Sequence, residues 1–165
     1  MRESQSRFIR QLGFPAAVAS DRLYAALMFQ PRVIGALVAI GIFSQSAWVF
    51  LALSAVLVWS TLVPTRNPFD GFYNRFVARP RRPSFGVAPA PRLFAQAMAA
   101  AATFATGATL VLGATKTAWV LEALMAMSIV AVLFRDFCGP ACLYHRVRGL
   151  LSSKYALAAS AGRVC

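Results

Sequence analysis

Four apolar segments, each bounded by polar or basic residues, dominate this sequence of 165 residues. They cover 33–43, 47–63, 93–113 and 118–134, and the first can extend back to Leu23. Each segment is apolar on all sides of a helix, as in lipid, where about 20 residues cross the bilayer core. Hydrophobic residues make up 59% of the chain and charged residues 13%, which is more apolar than a soluble domain. We therefore predict an all-α integral membrane protein with four transmembrane helices.

The positions of the basic residues predict the orientation of these helices. Of the 17 lysines and arginines, only Lys116 lies between the first and second or the third and fourth apolar segments. Because loops rich in arginine and lysine stay in the cytoplasm, we predict that both termini and the central loop are cytoplasmic. The net charge of +12 then serves mainly to orient the helices in the membrane. It also favours contact with anionic lipid headgroups, and a nucleic-acid partner is not predicted.

The chain divides into five predicted segments. A cytoplasmic N-terminal segment covers 1–21, a first transmembrane hairpin covers 22–63, and a basic, proline-rich cytoplasmic loop covers 64–92. A second hairpin covers 93–134, and an interfacial cytoplasmic segment with a pair of cysteines covers 135–165. The apolar run near the N-terminus is short and contains a proline, so we predict no cleaved signal peptide.

The two hairpins resemble each other in sequence. Ala47-Trp48-Val49 recurs as Ala118-Trp119-Val120, and a Tyr-x-Arg pattern follows each hairpin at the same offset of 71 residues. This predicts a parallel internal repeat, in which both halves cross the membrane in the same sense. Tryptophan, tyrosine and arginine favour the membrane interface. The predicted lipid and interface anchors are Trp48 and Trp119 on the outer side, and Tyr73, Tyr144, Arg75 and Arg146 on the inner side.

Small residues recur at every fourth position in the first and third apolar segments. Such rows allow the backbones of two helices in lipid to approach closely, either within one bundle or with a partner helix. The residues predicted to lie in such packing faces are Gly35, Ala39, Ala97, Ala101, Ala105 and Gly107.

Cys138 and Cys142 flank a Gly-Pro-Ala sequence directly after the fourth apolar segment. If Pro140 begins a helix, Cys138 lies just before its N-terminus, where the helix dipole and free amides favour a thiolate. The two cysteines are therefore a candidate redox pair, although two reduced cytosolic thiols without a redox role explain the pattern as well. His145 is a weak candidate for a haem or chlorophyll ligand. No metal is predicted, because two thiols and one histidine leave a tetrahedral site one ligand short.

Glu122 is the only acidic residue within an apolar segment. It lies close to the outer boundary, so we predict that it extends to the surface or pairs with Lys116. No catalytic residues are predicted, since the sequence contains no paired carboxylates, Ser-His-Asp set or phosphate-binding loop.

Between Arg22 and Arg148 the sequence resembles the uncharacterised bacterial membrane proteins of "domain of unknown function 4395". The resemblance rests on the paired hairpins, on Asn67-Pro68-Phe69, and on the cysteine pair followed by Leu143-Tyr144. It implies a location in the bacterial inner membrane. Family members are similar in carrying Cys-x-x-Cys after the last span, and some occur with thioredoxin-like partners; here three residues separate the cysteines.

Two functions remain open on these grounds. The first is a non-catalytic accessory or structural subunit that packs against other membrane proteins in a larger, energy-converting assembly. The second is a membrane thiol–disulfide partner that uses Cys138 and Cys142. The sequence predicts no particular cofactor for either.

Overall fold

A computed structural model describes residues 2–77 and 88–152 of the chain, and within these ranges it contains helices and no strand. Short 3₁₀ turns lie at Ala16–Val18 and Pro64–Arg66, and a π-helical turn at Tyr73–Val77 follows the fourth helix. The α-helices are α1 (Glu3–Gln11), α2 (Asp21–Ser44), α3 (Ala47–Leu62), α4 (Pro68–Phe72), α5 (Ala90–Val111), α6 (Thr115–Arg135) and α7 (Gly139–Ser152).

Three of these helices, α2, α5 and α6, are long and apolar enough to cross a membrane. The second predicted span corresponds to α3, whose 16 residues give a length of about 24 Å at 1.5 Å per residue. The first span is longer than its apolar core at 33–43, because α2 has 24 residues and contains Pro31 without ending there. Many of the large apolar side chains on these helices are exposed, among them Phe43, Trp59, Phe104 and Phe134, as they are in a protein whose solvent is lipid.

Local capping explains where α2 begins and ends. The Ser20 hydroxyl accepts a hydrogen bond of 3.2 Å from the backbone N–H of Leu23, which satisfies one of the free amides of the first turn. At the other end Gln45 adopts a left-handed conformation with φ of 47°, and its N–H bonds back to the last turn of α2. The chain thus reverses direction within two residues before α3 begins, which makes α2 and α3 an antiparallel hairpin.

The four long helices form an antiparallel bundle. Gly107 of α5 faces Leu51 of α3, and the Ser54 hydroxyl of α3 donates a hydrogen bond of 3.0 Å to the carbonyl oxygen of Ala100. Residue numbers therefore rise along α3 as they fall along α5. In the same way Gly35 of α2 faces Ile129 of α6. The helices pack in the order α2–α3–α5–α6, and α6 closes the ring against α2.

Two apolar clusters form the interior. One lies between the long helices and contains Phe50, Leu57 and Phe69, the last of which comes from α4. The other lies at the end of the bundle where α1 and α7 meet α2, and it contains Phe8, Met28 and Cys138. The helix α1 is short and amphipathic, and it buries its apolar side chains against the bundle. The N-terminal segment therefore closes one end of the molecule.

Gly107 offers a test of the α3–α5 contact. A methyl group added at this glycine would lie 2.8 Å from Cγ of Leu51 and 3.2 Å from the carbonyl oxygen of Ala47. We expect Gly107→Ala to lower the free energy of unfolding by about 1–3 kcal/mol, since overpacking separates the helices. The measurement is reversible unfolding in mixed detergent micelles.

Gly149→Ala in α7 is the matched control, because nothing lies within 4 Å of the added methyl group. It is expected to leave stability unchanged or to raise it by up to about 1 kcal/mol, as alanine favours the helix. Equal stability of the two variants would contradict the close approach of α3 and α5.

Candidate functional site

A buried polar cluster lies where α2, α4 and α5 meet. Arg92, in the first turn of α5, donates through Nη2 to Oδ1 of Asp70 at 2.7 Å and to Oε1 of Gln30 at 3.1 Å. Gln96, one turn further along α5, donates through Nε2 to the same oxygen of Gln30 at 3.0 Å. Arg92, Gln30 and Gln96 are each about 95% buried. The cluster joins α2, α4 and α5 in the interior of the bundle.

The chemistry of Arg92 determines the orientation of both glutamine amides. A guanidinium can only donate hydrogen bonds, so the Gln30 atom that faces it must be the carbonyl oxygen. That oxygen also faces the Gln96 amide, which must therefore present its NH₂ group. As a result Oε1 of Gln96 is buried without a hydrogen-bond partner among the described residues. A buried acceptor left unsatisfied costs about 1–3 kcal/mol.

A cavity of about 160 Å³ adjoins this cluster. Its polar end carries Gln30, Arg92 and Gln96, and Cys138 and Pro140 also line it. The exposed Ser128 of α6 also lines it, so the cavity reaches the surface beside this residue. The other described residues of its wall are apolar and come from α1 and the residue after it, α2, α5 and α6: Phe8, Leu12, Leu27, Pro31, Ile34, Ala95, Ala99, Ile129 and Val132.

Cys138 lies directly before α7, as predicted, but the prediction of an acidic thiol is wrong. The residue is 93% buried, and this burial raises the pKa of the Cys138 thiol. The backbone N–H of Ala141 donates to the sulfur and lowers the pKa by a smaller amount. Desolvation therefore outweighs the helix N-terminus. Cys138 is a free thiol and is not bonded to Cys142, which is also buried.

Cys138 and His145 both contact Gln11 at the end of α1. The backbone N–H of Cys138 donates to Oε1 of Gln11 at 3.1 Å, and Nε2 of His145 lies 3.0 Å from the Gln11 carbonyl oxygen. His145 therefore uses one ring nitrogen to attach α7 to α1. Among the described residues no group of three or more His, Cys, Asp or Glu side chains could hold a metal ion.

The six predicted interface anchors lie at the two ends of the bundle. Trp48 and Trp119, in the first turns of α3 and α6, are 79% and 60% exposed. Tyr73 packs against Phe29, and Tyr144 packs against Phe94 with ring centroids 5.7 Å apart. Arg75 and Arg146 are exposed, and Arg75 lies over the ring of Phe76.

The predicted packing residues fall on two different faces. Gly35 faces α6, Gly107 is buried against α3, and Ala39 and Ala105 are partly buried. Ala97 and Ala101 are exposed instead, and they line a groove between α3 and α5. This row of small residues is therefore not covered by any described part of the chain.

The prediction for Glu122 is also wrong, because its side chain neither extends to the surface nor pairs with Lys116. Its side chain is 96% buried. Nε2 of Gln45, at the turn after α2, lies 3.2 Å and 3.1 Å from the two carboxylate oxygens. Glu122 therefore ties the α2–α3 turn to α6 at the end of the bundle opposite Cys138.

The buried cluster itself was missed by the sequence analysis, which counted Arg92 with the loop residues. The spacing of residues along α5 indicates this cluster. The buried face of α5 is formed by residues that recur every three or four positions: Arg92, Gln96, Ala100, Thr103 and Gly107. Polar residues on such a face indicate an internal network.

Comparison with known proteins identifies one family. A family model described as Domain of unknown function (DUF4395) matches residues 24–148. No curated protein and no solved structure matches the chain.

The raised pKa of Cys138 can be tested by the rate at which the thiol is alkylated. Only the thiolate reacts, so we expect slow modification by iodoacetamide near pH 7 and a rise in rate that continues above pH 8.5, the usual pKa of a free cysteine. Tandem mass spectrometry of the peptide that contains Cys138 distinguishes it by fragment ions from Cys142, which lies four residues away. A denatured sample provides the reference rate. If the pH of half-maximal reactivity is lower in the folded protein than in the denatured protein, burial does not outweigh the helix N-terminus and the prediction is contradicted.

Proposed function

The chain belongs to the family Domain of unknown function (DUF4395), and we propose that it is a non-catalytic accessory subunit of a larger, energy-converting membrane assembly. In this role the protein packs beside other membrane proteins and stabilises their arrangement. The observation that carries the proposal is the uncovered groove of small residues between α3 and α5.

The groove is shaped for close approach of another helix. Ala97 and Ala101 lie one turn apart on α5 and are exposed, while Phe104 and Leu62 border them. Ser54, which also lines the groove, already uses its hydroxyl on Ala100 within the bundle. In lipid the hydrophobic effect does not drive helices together, so association depends on such close packing of small side chains. The groove therefore suits a transmembrane helix of a partner subunit.

We further propose four membrane spans, with both termini in the cytoplasm of a bacterium and the chain in its inner membrane. The antiparallel order α2, α3, α5, α6 supports an even number of crossings, because α3 runs beside two helices that are long enough to span. The 16 residues of α3 suffice where the bilayer thins locally. The exposed basic residues near α4 and α7 favour anionic lipid headgroups on the same side.

A parallel repeat is consistent with this arrangement. Exchange of the two hairpins maps the α3–α5 pair onto the α6–α2 pair, and both pairs are antiparallel. Asn67 and Cys138 also correspond at the offset of 71 residues, and each directly precedes a helix, α4 or α7.

The alternative function, a thiol–disulfide partner, requires Cys138 to act as a nucleophile. Burial and a raised pKa both oppose this, because they lower the accessible thiolate at neutral pH. The alkylation measurement separates the two functions, since the accessory role needs no reactive thiol.

Ala101→Leu tests the groove. A larger side chain there blocks close helix approach, so we expect the affinity for the partner subunit to fall by roughly tenfold, which corresponds to about 1.4 kcal/mol. The measurement is quantitative mass spectrometry of proteins that co-purify from native membranes in mild detergent.

Ala123→Leu, at an exposed position of α6 outside the groove, is the control. The proposal requires that a specific membrane protein be retained by the control and lost by Ala101→Leu. Identical sets of co-purifying proteins for both variants would overturn it.

The topology is tested by labelling of introduced cysteines in intact cells. Ser44 and Lys116 are exposed at one end of the bundle, and Arg66 and Arg10 are exposed at the other. An impermeant maleimide should label Ser44→Cys and Lys116→Cys from outside, and Arg66→Cys and Arg10→Cys only after the membrane is permeabilised. Labelling of Arg66→Cys in intact cells would reverse the proposed orientation.

A further inference from the structure

The cavity beside Gln96 has the size and chemistry of a ligand site that the accessory role does not use. We propose that it binds a neutral, lipophilic hydroxyl compound whose buried part is one ring in size, of the phenol or quinol class. The proposal is independent of the partner groove, which lies on the opposite face of α5.

The unpaired oxygen of Gln96 defines the polar end of this ligand. Because Arg92 orients Gln30 and Gln30 orients Gln96, the amide of Gln96 cannot exchange the positions of its NH₂ group and its oxygen without loss of the hydrogen bond to Gln30. Oε1 of Gln96 is therefore a fixed acceptor without a partner among the described residues, and it belongs to a side chain that lines the cavity. A ligand that reaches it must carry a hydrogen-bond donor, such as a hydroxyl group.

The charges around the cavity favour a neutral molecule. Among the described residues that line the wall the only cation is Arg92, whose guanidinium is paired with the Asp70 carboxylate at 2.7 Å. The part of the chain that the structure describes contributes no acidic side chain to the wall, so a cationic ligand would find no counterion there. Transfer of an ion into such an environment is strongly unfavourable, whereas a hydroxyl group loses little if it is hydrogen-bonded.

The volume and the lining restrict the buried part to about one ring. Apolar cavities of about 150 Å³ bind a single benzene-sized molecule, and this cavity measures about 160 Å³. Phe8, Leu27, Ile34 and Ile129 supply apolar contacts for the ring. The opening beside the exposed Ser128 gives a chain attached to the ring a path into the lipid.

Two probes of equal size distinguish a specific site from an apolar void. 4-Fluorophenol carries the hydroxyl donor, and 4-fluorotoluene replaces it with a methyl group. Both are titrated into the full-length protein in detergent micelles, and ¹⁹F NMR measures bound and free probe. Protection of Cys138 from slow alkylation near pH 8.5, below the phenolic pKa of about 10, provides a second readout because this residue lines the cavity. Fragment ions distinguish Cys138 from Cys142 in the same peptide.

Gln96→Met removes the acceptor but keeps a side chain of similar length. Partition of each probe into micelles is the same for both proteins, so the change in the ratio of the two affinities reports on Gln96 alone. We expect the preference for 4-fluorophenol over 4-fluorotoluene to fall about tenfold in the variant, as one hydrogen bond is lost. An unchanged ratio would overturn the assignment of Oε1 as the recognition group.

Two further substitutions test the location. Ala99→Leu places a larger side chain in the cavity, so it should abolish binding of both probes and the protection of Cys138. Ala97→Leu, two residues away on the groove face of α5, should leave both unchanged. Loss of binding in Ala97→Leu but not in Ala99→Leu would place the site elsewhere and overturn the proposal. The proposal is also overturned if neither probe binds the unmodified protein, because the cavity would then hold only water.

The source of the ligand is distinguished by 4-hexylphenol. If it binds at least as tightly as 4-fluorophenol, the opening admits a chain and the natural ligand is a membrane lipid with a phenolic or quinol ring. If the hexyl chain prevents binding while 4-fluorophenol still binds, the ligand is a small diffusible phenol.

Discussion

The end of the bundle that is predicted to face the cytoplasm depends on the interactions of the buried Arg92 guanidinium. A cation in the first turn of a helix is disfavoured by the helix dipole, and burial adds a large desolvation penalty. Both are offset by Asp70, which α4 holds 2.7 Å from the guanidinium. Removal of one partner from such a buried pair typically costs about 3–5 kcal/mol. Arg92 therefore fixes the position of α4, and through Gln30 it also ties α5 to α2.

The same arginine separates the bundle into two regions of different character. Beyond Gln96 the buried face of α5 continues with Ala100, Thr103 and Gly107, whose small side chains allow α3 to approach closely. Thr103 satisfies its own hydroxyl on carbonyl oxygens of α5, so no polar group there requires a partner. At the arginine end, the network leaves one acceptor unsatisfied and a cavity beside it. Close packing stabilises one region, and the other retains the space for a ligand.

The helices could be predicted from the sequence because lipid requires long apolar segments whose ends are marked by polar residues. The predicted third and fourth spans, 93–113 and 118–134, lie within three residues of the observed limits of α5 and α6. The extent of α2 was harder to predict, since a proline normally ends a soluble helix, whereas Pro31 stands within this one.

The side-chain pairs could not be predicted, since each joins residues that are distant in sequence. Gln45 and Glu122 are 77 residues apart, and Gln11 and Cys138 are 127 residues apart. The environment of Cys138 is the clearest case. Its position before a helix was predictable from Gly139 and Pro140, but its burial depends on α1, which folds back over the end of the bundle. The local sequence predicts that the helix dipole lowers the pKa of the Cys138 thiol. The desolvation that outweighs this effect depends on the tertiary fold.

A comparison of the two helix starts explains why a buried thiol can serve a structural role. Asn67 precedes α4, and its side-chain oxygen accepts a hydrogen bond of 3.0 Å from the N–H of Phe69. Cys138 occupies the corresponding place before α7, where its sulfur accepts from the N–H of Ala141. Sulfur is a weaker acceptor than an amide oxygen, but it loses less on burial among apolar side chains. Asn67 lies beside the polar cluster and Cys138 lies in an apolar one, so each helix start carries the capping atom that its surroundings tolerate.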